Sequence, residues 1–319
     1  MKITITGGAG FIGSHLTDKL LSLNREVLVI DNYQTGRPDN LTPHPRLTVI
    51  EETISNTKAI NKIFDDFKPD LVVHAAASYK DPQNWLEDAQ TNIIGTINIV
   101  RASQAAKIKR LVYFQTSLCY GLKPLEQPIT FKHPLFSGAY TGGSSYAISK
   151  TAGEQYIELS GLDFISFRLA NAYGPRNLSG PLPTFYQRLT NNQLCFVIDS
   201  RRDFIFIDDL IEVVLKALQG QGEKGYYHIS TGSDYAIKEL YQEAVRALGL
   251  ENAPVETRPR GPDDAPSILL DPAKTIADFN WQPKISLKNG IKQTIDWYKT
   301  HDISQTFTHL KIHEKQKTK

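Results

Sequence analysis

The sequence has few cysteines, no long apolar run and almost no net charge, and each shortage argues against a class of function. Only two cysteines occur, Cys119 and Cys195, both among apolar residues, which points to free buried thiols rather than a disulfide framework. No apolar stretch approaches the roughly 18 residues that a membrane span requires. Met1–Gly8 reads as a strand and a turn, without the apolar region and cleavage site of a secretory signal, so a soluble cytoplasmic protein is expected. The formal net charge is +2, from 36 basic and 34 acidic residues spread without long blocks. That balance leaves no electrostatic footprint for nucleic acid or an anionic membrane. Lysines gather only at His309–Lys319, read as a solvated tail. Internal repeats and low-complexity linkers are also missing.

What is present is an alternation of short apolar runs with longer periodic ones. Strands are expected at Lys2–Thr6, Val27–Asp31, Leu47–Glu51, Leu71–His74, Arg110–Thr116 and Phe164–Leu169. Between them, Phe11–Leu23, Lys58–Phe67 and Trp85–Ala106 carry helical periodicity. Strands apolar throughout, separated by helices, imply a parallel sheet covered on both faces and hence a doubly wound α/β fold. The second half is more broken. Helices are expected at Asp208–Leu218, Ile237–Leu248 and Leu287–Tyr298, with strands near Phe204–Phe206 and Tyr226–Ile229. At 319 residues the chain is long for one compact domain. Two joined lobes are expected: residues 1–169, with some later segments returning to it, and a smaller α/β substrate lobe at 170–300, followed by a flexible basic tail at 301–319.

Two constellations carry chemistry. Glycines at 7, 10 and 13 follow the first strand and open the first helix, with Phe11 and Ile12 between the last two. Such a turn brings backbone N–H groups close to a pyrophosphate, which identifies the sheet as a Rossmann-type dinucleotide-binding domain. The next strand ends in Asp31, whose carboxylate suits a ribose 2′-OH and repels a 2′-phosphate, so NAD is expected rather than NADP. The second constellation is Tyr146 with Lys150, four apart on one helix face. An ammonium there stabilises a tyrosinate, making Tyr146 a general base toward a substrate hydroxyl. Thr116 and Ser117 close the fifth strand at its carboxyl end, where ligands collect in a doubly wound sheet.

With these elements the chain resembles the extended short-chain dehydrogenases/reductases of the NAD-dependent epimerase/dehydratase family, from Met1 to about Tyr298. The landmarks are the glycine-rich opening, Asp31–Arg37, His74–Ala77, Asn92–Thr96, the Tyr146–Lys150 pair, Arg168–Arg176 and Arg202–Asp209. The texture around Phe114–Gly121 is similar to sugar-nucleotide epimerases of bacterial O-antigen and lipopolysaccharide clusters. The resemblance implies that Gly7, Gly10, Phe11, Ile12, Gly13, Asp31, Asn32, Thr35, Gly36, Tyr146 and Lys150 hold the cofactor, with Ala75 and Ala76 behind it. It implies Thr116, Tyr146 and Lys150 as the catalytic set. Thr116, Ser117, Tyr146, Asn171, Arg202 and Arg260 would face the sugar nucleotide, the two arginines on its pyrophosphate. No metal is implied, and a homodimer through helices near 85–106 and 144–160 is.

The departures from the family pattern select among reactions. Family 4,6-dehydratases follow the catalytic threonine with Asp-Glu, where this chain has Ser117 and Leu118. Family decarboxylases keep a Glu at the place of Leu118. A leucine exchanges no proton, so a UDP-sugar (hexose, N-acetylhexosamine or uronic acid) 4-epimerase passing through a 4-keto sugar is expected. Another 4-keto reaction on the same scaffold and a catalytically silent NAD-binding protein are the alternatives. The loop from His74 to Asn92, with Tyr79, Lys80 and Asp81, is shorter than usual and is expected to face the sugar, Thr53 replaces an adenine-facing Asp, and the turn after Arg260 carries one residue more.

Overall fold

Seven parallel strands build the main sheet of the computed structural model, which describes residues 1–135, 144–251, 253–261 and 264–307. Six of them are β1 (Lys2–Thr6), β2 (Glu26–Asp31), β3 (Leu47–Glu51), β4 (Leu71–His74), β5 (Arg110–Thr116) and β6 (Phe164–Leu169). The seventh, Gly225–Ile229, comes from the second half of the chain and pairs in parallel with β6. The order across the sheet is 225–229, β6, β5, β4, β1, β2, β3. The direction of winding reverses between β1 and β4, and a crevice opens there at the carboxyl ends of the strands. This Rossmann-type sheet agrees with the α/β expectation.

Alternation within each strand feeds two apolar layers. Ile3, Ile5, Val27, Val29 and Val73 face a core with Leu16 and Leu20 of α1 (Phe11–Ser22). Leu28, Ile30 and Val72 face the other, with Ile60 and Phe64 of α2 (Thr57–Phe67). Both sides of the central strands are covered, so buried positions follow one another without a break along β2 from Val27 and throughout β4.

The stretch expected as one helix over Trp85–Ala106 is α3 (Trp85–Asp88), a π-helical turn (Ala89–Gly95) and α4 (Thr96–Ala106). Asn92 sits in the π turn, where its side chain donates to Ser78 O at 2.9 Å and to Ser149 Oγ at 3.0 Å. The wide turn thus spends a polar side chain inward, a feature that gathers at functional sites. A helix at Pro181–Thr190 falls where prolines and glycines suggested broken chain. Its prolines lie in the first turn, whose N–H groups have no intrahelical partner to lose. α5 (Ser145–Leu159) completes the elements around the crevice.

The expectation of a loose tail from residue 301 is corrected for 301–307. Ile303 is buried, Gln187 Nε2 donates to its carbonyl at 2.7 Å, and Phe307 N donates to Leu178 O at 3.0 Å. An apolar residue after Asp302 lets the segment dock against the Pro181–Thr190 helix instead of fraying. The lysine-rich end, His309–Lys319, lies outside the described residues. Cys119 and Cys195 are free and buried. Among the described residues no helix is long and apolar enough to cross a membrane, and no group of three or more His, Cys, Asp or Glu is placed to hold a metal.

Candidate active site

The glycine turn is dictated by contact. Gly7 has φ +68°, and a Cβ there would lie 2.6 Å from Ala76 N, so the turn after β1 packs directly on the chain leaving β4. A Cβ on Gly13 would lie 2.2 Å from Gly7 O. Gly10 caps α1 without a side chain, and the first turn, with Phe11 and Ile12, carries no acid. The N–H groups and helix dipole there are left for an anion. Asn40 braces the turn from behind, donating from Nδ2 to Ala9 O at 2.9 Å, and Arg37 N donates to the same oxygen at 3.0 Å.

Asp31 ends β2, 6% exposed, with Oδ2 accepting from Ala9 N and Oδ1 from Tyr33 N, both at 2.9 Å. Burial raises its carboxyl pKa, opposed by those two N–H groups. Each oxygen keeps a lone pair for a ribose hydroxyl. Gly36 is packed on the carboxylate, a Cβ there meeting Oδ1 at 2.7 Å. Thr35 is half-buried, and Asn32 is exposed with its side chain turned back to Gln34 N. A crevice with an open helix start, glycines that admit no Cβ and a buried carboxylate fits a dinucleotide lacking a 2′-phosphate.

β5 and α5 are pinned together at the Lys150 carbonyl, which accepts from Tyr113 OH at 3.0 Å and Gln115 Nε2 at 3.1 Å. That fixes the first turns of α5 beside the strand end where Thr116 stands. Thr116 Oγ1 accepts from Leu118 N at 3.1 Å, which leaves its proton for another acceptor. Ser117 is buried, and Leu118 packs on the apolar cluster of Cys119, Tyr120, Ile129 and Leu270. The Lys150 ammonium lies 3.9 Å from the Tyr113 ring centre. Burial pushes Lys150 down to about 7, opposed by Glu154 one turn along the helix.

Tyr146 departs from the expectation drawn from its spacing to Lys150. Its pKa is raised, first by burial and then by Tyr79 and Asp88. Lys150 does not outweigh this in the protein alone, because burial also disfavours its own charge.

Behind the pair runs one directional chain of hydrogen bonds. Ala76 N donates to Thr6 Oγ1, which is bonded at 2.7 Å to His74 Nδ1, and His74 Nε2 is bonded at 2.9 Å to Thr96 Oγ1. Thr96 Oγ1 donates onward to Asn92 O at 2.7 Å, which assigns the His74 proton to Nε2. Burial lowers His74, and likewise His228, to about 3. Their folded pKa lies below the unfolded value near 6.5. Between about 6.5 and 3 the unfolded chain therefore holds more protons, and stability falls on acidification by up to about 1.4 kcal/mol per pH unit per histidine. Urea midpoints taken from pH 6.5 to 4.5 should drop accordingly, and His74→Asn should flatten the slope. An unchanged slope in that variant would refute the assignment.

On the far side, Asn171–Tyr173 pairs in parallel with Phe204–Phe206, placing Asn171 beside Asp203, whose carbonyl accepts from its Nδ2 at 3.2 Å. Asn171 itself is exposed. Arg202 is bound inside the protein: Asp264 accepts from Nη2, and Ala265 O from Nη1 at 2.8 Å. Burial lowers its pKa, Asp264 opposes this, and Arg260 adds like-charge repulsion. Arg260 is exposed and lies close enough for that field to act. The structure thus gathers Gly7, Gly10, Gly13, Asp31, Gly36, Ala75 and Ala76 around one crevice, with Thr116, Tyr146 and Lys150 beyond the reversal of winding. The motifs did not single out Asn40, Asp88 or Ser149, whereas Tyr79 was expected in the loop facing the sugar, and its ring lies 6.2 Å from that of Tyr146. Asn40 and Asp88 lie outside every motif, and Ser149, although it stands inside the Tyr146–Lys150 segment, carries no spacing signal of its own.

The family described as "NAD dependent epimerase/dehydratase family" matches residues 3–230. The crystal structure of the Bordetella bronchiseptica enzyme WbmH in complex with NAD+ superposes with a TM-score of 0.90 at 48% identity, covering 94% of this chain and 99% of that one. A UDP-glucose 4-epimerase of Mycolicibacterium smegmatis is 28% identical over 94% of this chain and 99% of its own length. UDP-glucuronic acid decarboxylase 1 of Arabidopsis thaliana is 29% identical over 96% of this chain and 71% of its own length.

Proposed function

The chain belongs to the NAD dependent epimerase/dehydratase family, and on that premise we propose that it is a UDP-sugar 4-epimerase. The observation that carries this reading is the wall beside Thr116. Positions 117 and 118 hold a hydroxyl and an aliphatic side chain, and Leu118 is committed to the apolar cluster behind it. Tyr146 and Thr116 serve proton movement at a sugar hydroxyl, and Leu118 offers nothing for eliminating water or steering decarboxylation.

In this reading Gly7, Gly10, Phe11, Ile12 and Gly13 hold the pyrophosphate of NAD, and Asp31, Asn32, Thr35 and Gly36 its adenosine ribose. Ala75 and Ala76 back it, and Lys150 reaches its other ribose. NAD held there would supply hydride transfer at sugar C4 and the positive charge of its nicotinamide ring. Thr116 hydrogen-bonds O4. Tyr146 takes the O4 proton when the alcohol becomes a ketone and gives it back after the 4-keto sugar has turned over. Lys150 stabilises the tyrosinate, and the nicotinamide charge works with it against the burial that raises the phenol. Asn171, Ser117, Arg202 and Arg260 bind the sugar nucleotide, Arg202 exchanging Asp264 for phosphate. Residues 1–169 carry the cofactor and 170–300 the substrate, with the strand 225–229 returning to the first.

The proposal includes a cytoplasmic homodimer serving O-antigen or lipopolysaccharide sugar synthesis. Trp85, Leu86, Ile94, Ile148, Tyr156 and Leu159 are exposed along α3, the π turn and α5, an apolar face a second copy would cover. A monomer in sedimentation at micromolar concentration would remove that part. The function is tested by incubating the protein, as purified, with UDP-hexoses, UDP-N-acetylhexosamines and UDP-uronic acids and following products by NMR. A C4-inverted sugar without added cofactor is expected. A pentose product with carbon dioxide, or an unsaturated or deoxy sugar in its place, would overturn the reading.

A further inference from the structure

Tyr79 belongs to neither the glycine turn nor the Tyr146–Lys150 pair, yet it touches both neighbourhoods. It follows Ala75–Ser78 out of β4, and its side chain is hydrogen-bonded to Thr35, beyond the end of β2. In the sheet β1 lies between β4 and β2. A bond from the loop after β4 to the loop after β2 must therefore pass over the end of β1, where the glycine turn opens. On its other side the Tyr79 ring lies 6.2 Å from the ring of Tyr146. One aromatic residue thus reaches from the proposed base to the loop proposed for the adenosine ribose.

Tyr79 is held there from outside. The ring of Phe307 lies 5.6 Å from it, and Lys80 Nζ lies 5.8 Å from the Phe307 ring centre. Phe307 is itself fixed by its backbone, donating to Leu178 O at 3.0 Å and accepting from Gly180 N at 3.2 Å. Arg37, in the loop after β2, donates to Asp302 O at 2.9 Å. The segment 302–307 therefore ties the substrate side to the cofactor side across the same opening. A cavity of about 250 Å³ lies between the two loops, lined by Gln34, Thr35, Ser78, Tyr79 and Lys80 among others.

We propose that Tyr79, backed by Phe307, is a cofactor-positioning residue that closes over the glycine turn and sets how slowly NAD leaves. The proposal rests on the reading of the crevice as the NAD site. Release requires Tyr79 to swing out, giving up its bond to Thr35 and its ring contacts with Tyr146 and Phe307. A 4-epimerase needs such a closure, because its cofactor must return the hydride it has received before any exchange.

The test is cofactor exchange, measured on the protein as purified. Bound NAD is quantified after denaturation, and its release is followed by displacement with a fluorescent etheno-NAD. Tyr79→Ala should speed release about 10–100-fold, the loss of one hydrogen bond and two aromatic contacts. Tyr79→Phe, which keeps the ring and loses the Thr35 bond, should give about 3–10-fold, and Phe307→Ala a similar increase from outside the crevice. Circular dichroism and the unfolding midpoint of Tyr79→Phe should stay at wild-type values, which separates closure from folding. Wild-type release rates in both Tyr79→Phe and Phe307→Ala would overturn the proposal while leaving the NAD reading intact. A wild-type protein that neither carries nor binds NAD would overturn both.

Discussion

Tyr146→Phe is expected to lower turnover of the sugar nucleotide by about 10²–10⁴-fold, the range that a positioned acid–base group supplies, with NAD still bound. The substitution removes one oxygen and keeps the ring, and the surroundings of that ring do not depend on it. α5 is held by the bonds of Tyr113 and Gln115 to the Lys150 carbonyl, and Ser149 is held by Asn92. Retained full turnover would sink the assignment of Tyr146 as the base. Burial sharpens the expectation further. The protein alone raises the Tyr146 phenol and lowers the Lys150 ammonium to about 7, so the charged form of neither is favoured by the matrix. In the proposed mechanism the positive charge that bound NAD would supply therefore adds to that of Lys150 in stabilising the tyrosinate. An ultraviolet titration, taken as the difference between wild type and Tyr146→Phe, should show this phenol ionising above pH 10 without cofactor and at lower pH with NAD bound. An unchanged titration on NAD binding would refute that electrostatic account.

Glu154→Ala is expected to cost about 3–5 kcal/mol of stability, the penalty for stranding a buried charge. Glu154 and Arg168 meet at 2.8 Å with side chains 2% and 6% exposed. Ser166 Oγ also donates to Glu154, and Arg168 donates to Tyr120 OH at 2.7 Å. Their attraction offsets two desolvation penalties, and removing the acid leaves the guanidinium's penalty alone. The double variant Glu154→Gln with Arg168→Met should therefore lose less than Glu154→Ala. Urea unfolding followed by tryptophan fluorescence measures both. A loss below about 1 kcal/mol, the value of an exposed pair, would show that water reaches this site. Glu154 is also the group opposing burial at Lys150, so Glu154→Ala should move the pH limb governed by Lys150 to lower pH.

Much of the fold was legible because parallel strands and their covering helices write periodic patterns. The strands from Lys2 to Leu169 appear where apolar runs placed them, within a residue at Glu26. Their parallel, doubly wound arrangement was implied by the alternation with helices and the connection rule, while their order across the sheet came only from the structure. Pro181–Thr190 was not legible, because proline signals a break and becomes harmless only in a first turn. The π turn around Asn92 was not legible either, since its cause is a set of partners, Ser78 and Ser149, distant in sequence. Ile303 and Phe307 looked like the start of a loose end, and only the surfaces they dock against bury Ile303 in the core and seat Phe307 beside Tyr79.

The residues of the candidate site divide in the same way. Gly7, Gly10, Gly13, Asp31, Tyr146 and Lys150 lie in short local patterns, because a turn, a strand end and one helical repeat are each specified by neighbours in sequence. From these came the expectation of a dinucleotide crevice and of a base beside a lysine, while the family resemblance also needed the landmarks spread from Asp31 to Asp209. Leu118 in place of an acid narrows the chemistry further. Tertiary structure decided what proximity and burial determine. It put Asp264 in the fork of Arg202 and laid Tyr79 across the end of β1. It also raised the Tyr146 phenol where spacing to Lys150 implied the opposite. Spacing along a helix fixes which side chains share a face. How far a charge is removed from water depends on every element packed around it, and that is settled only when the chain has folded.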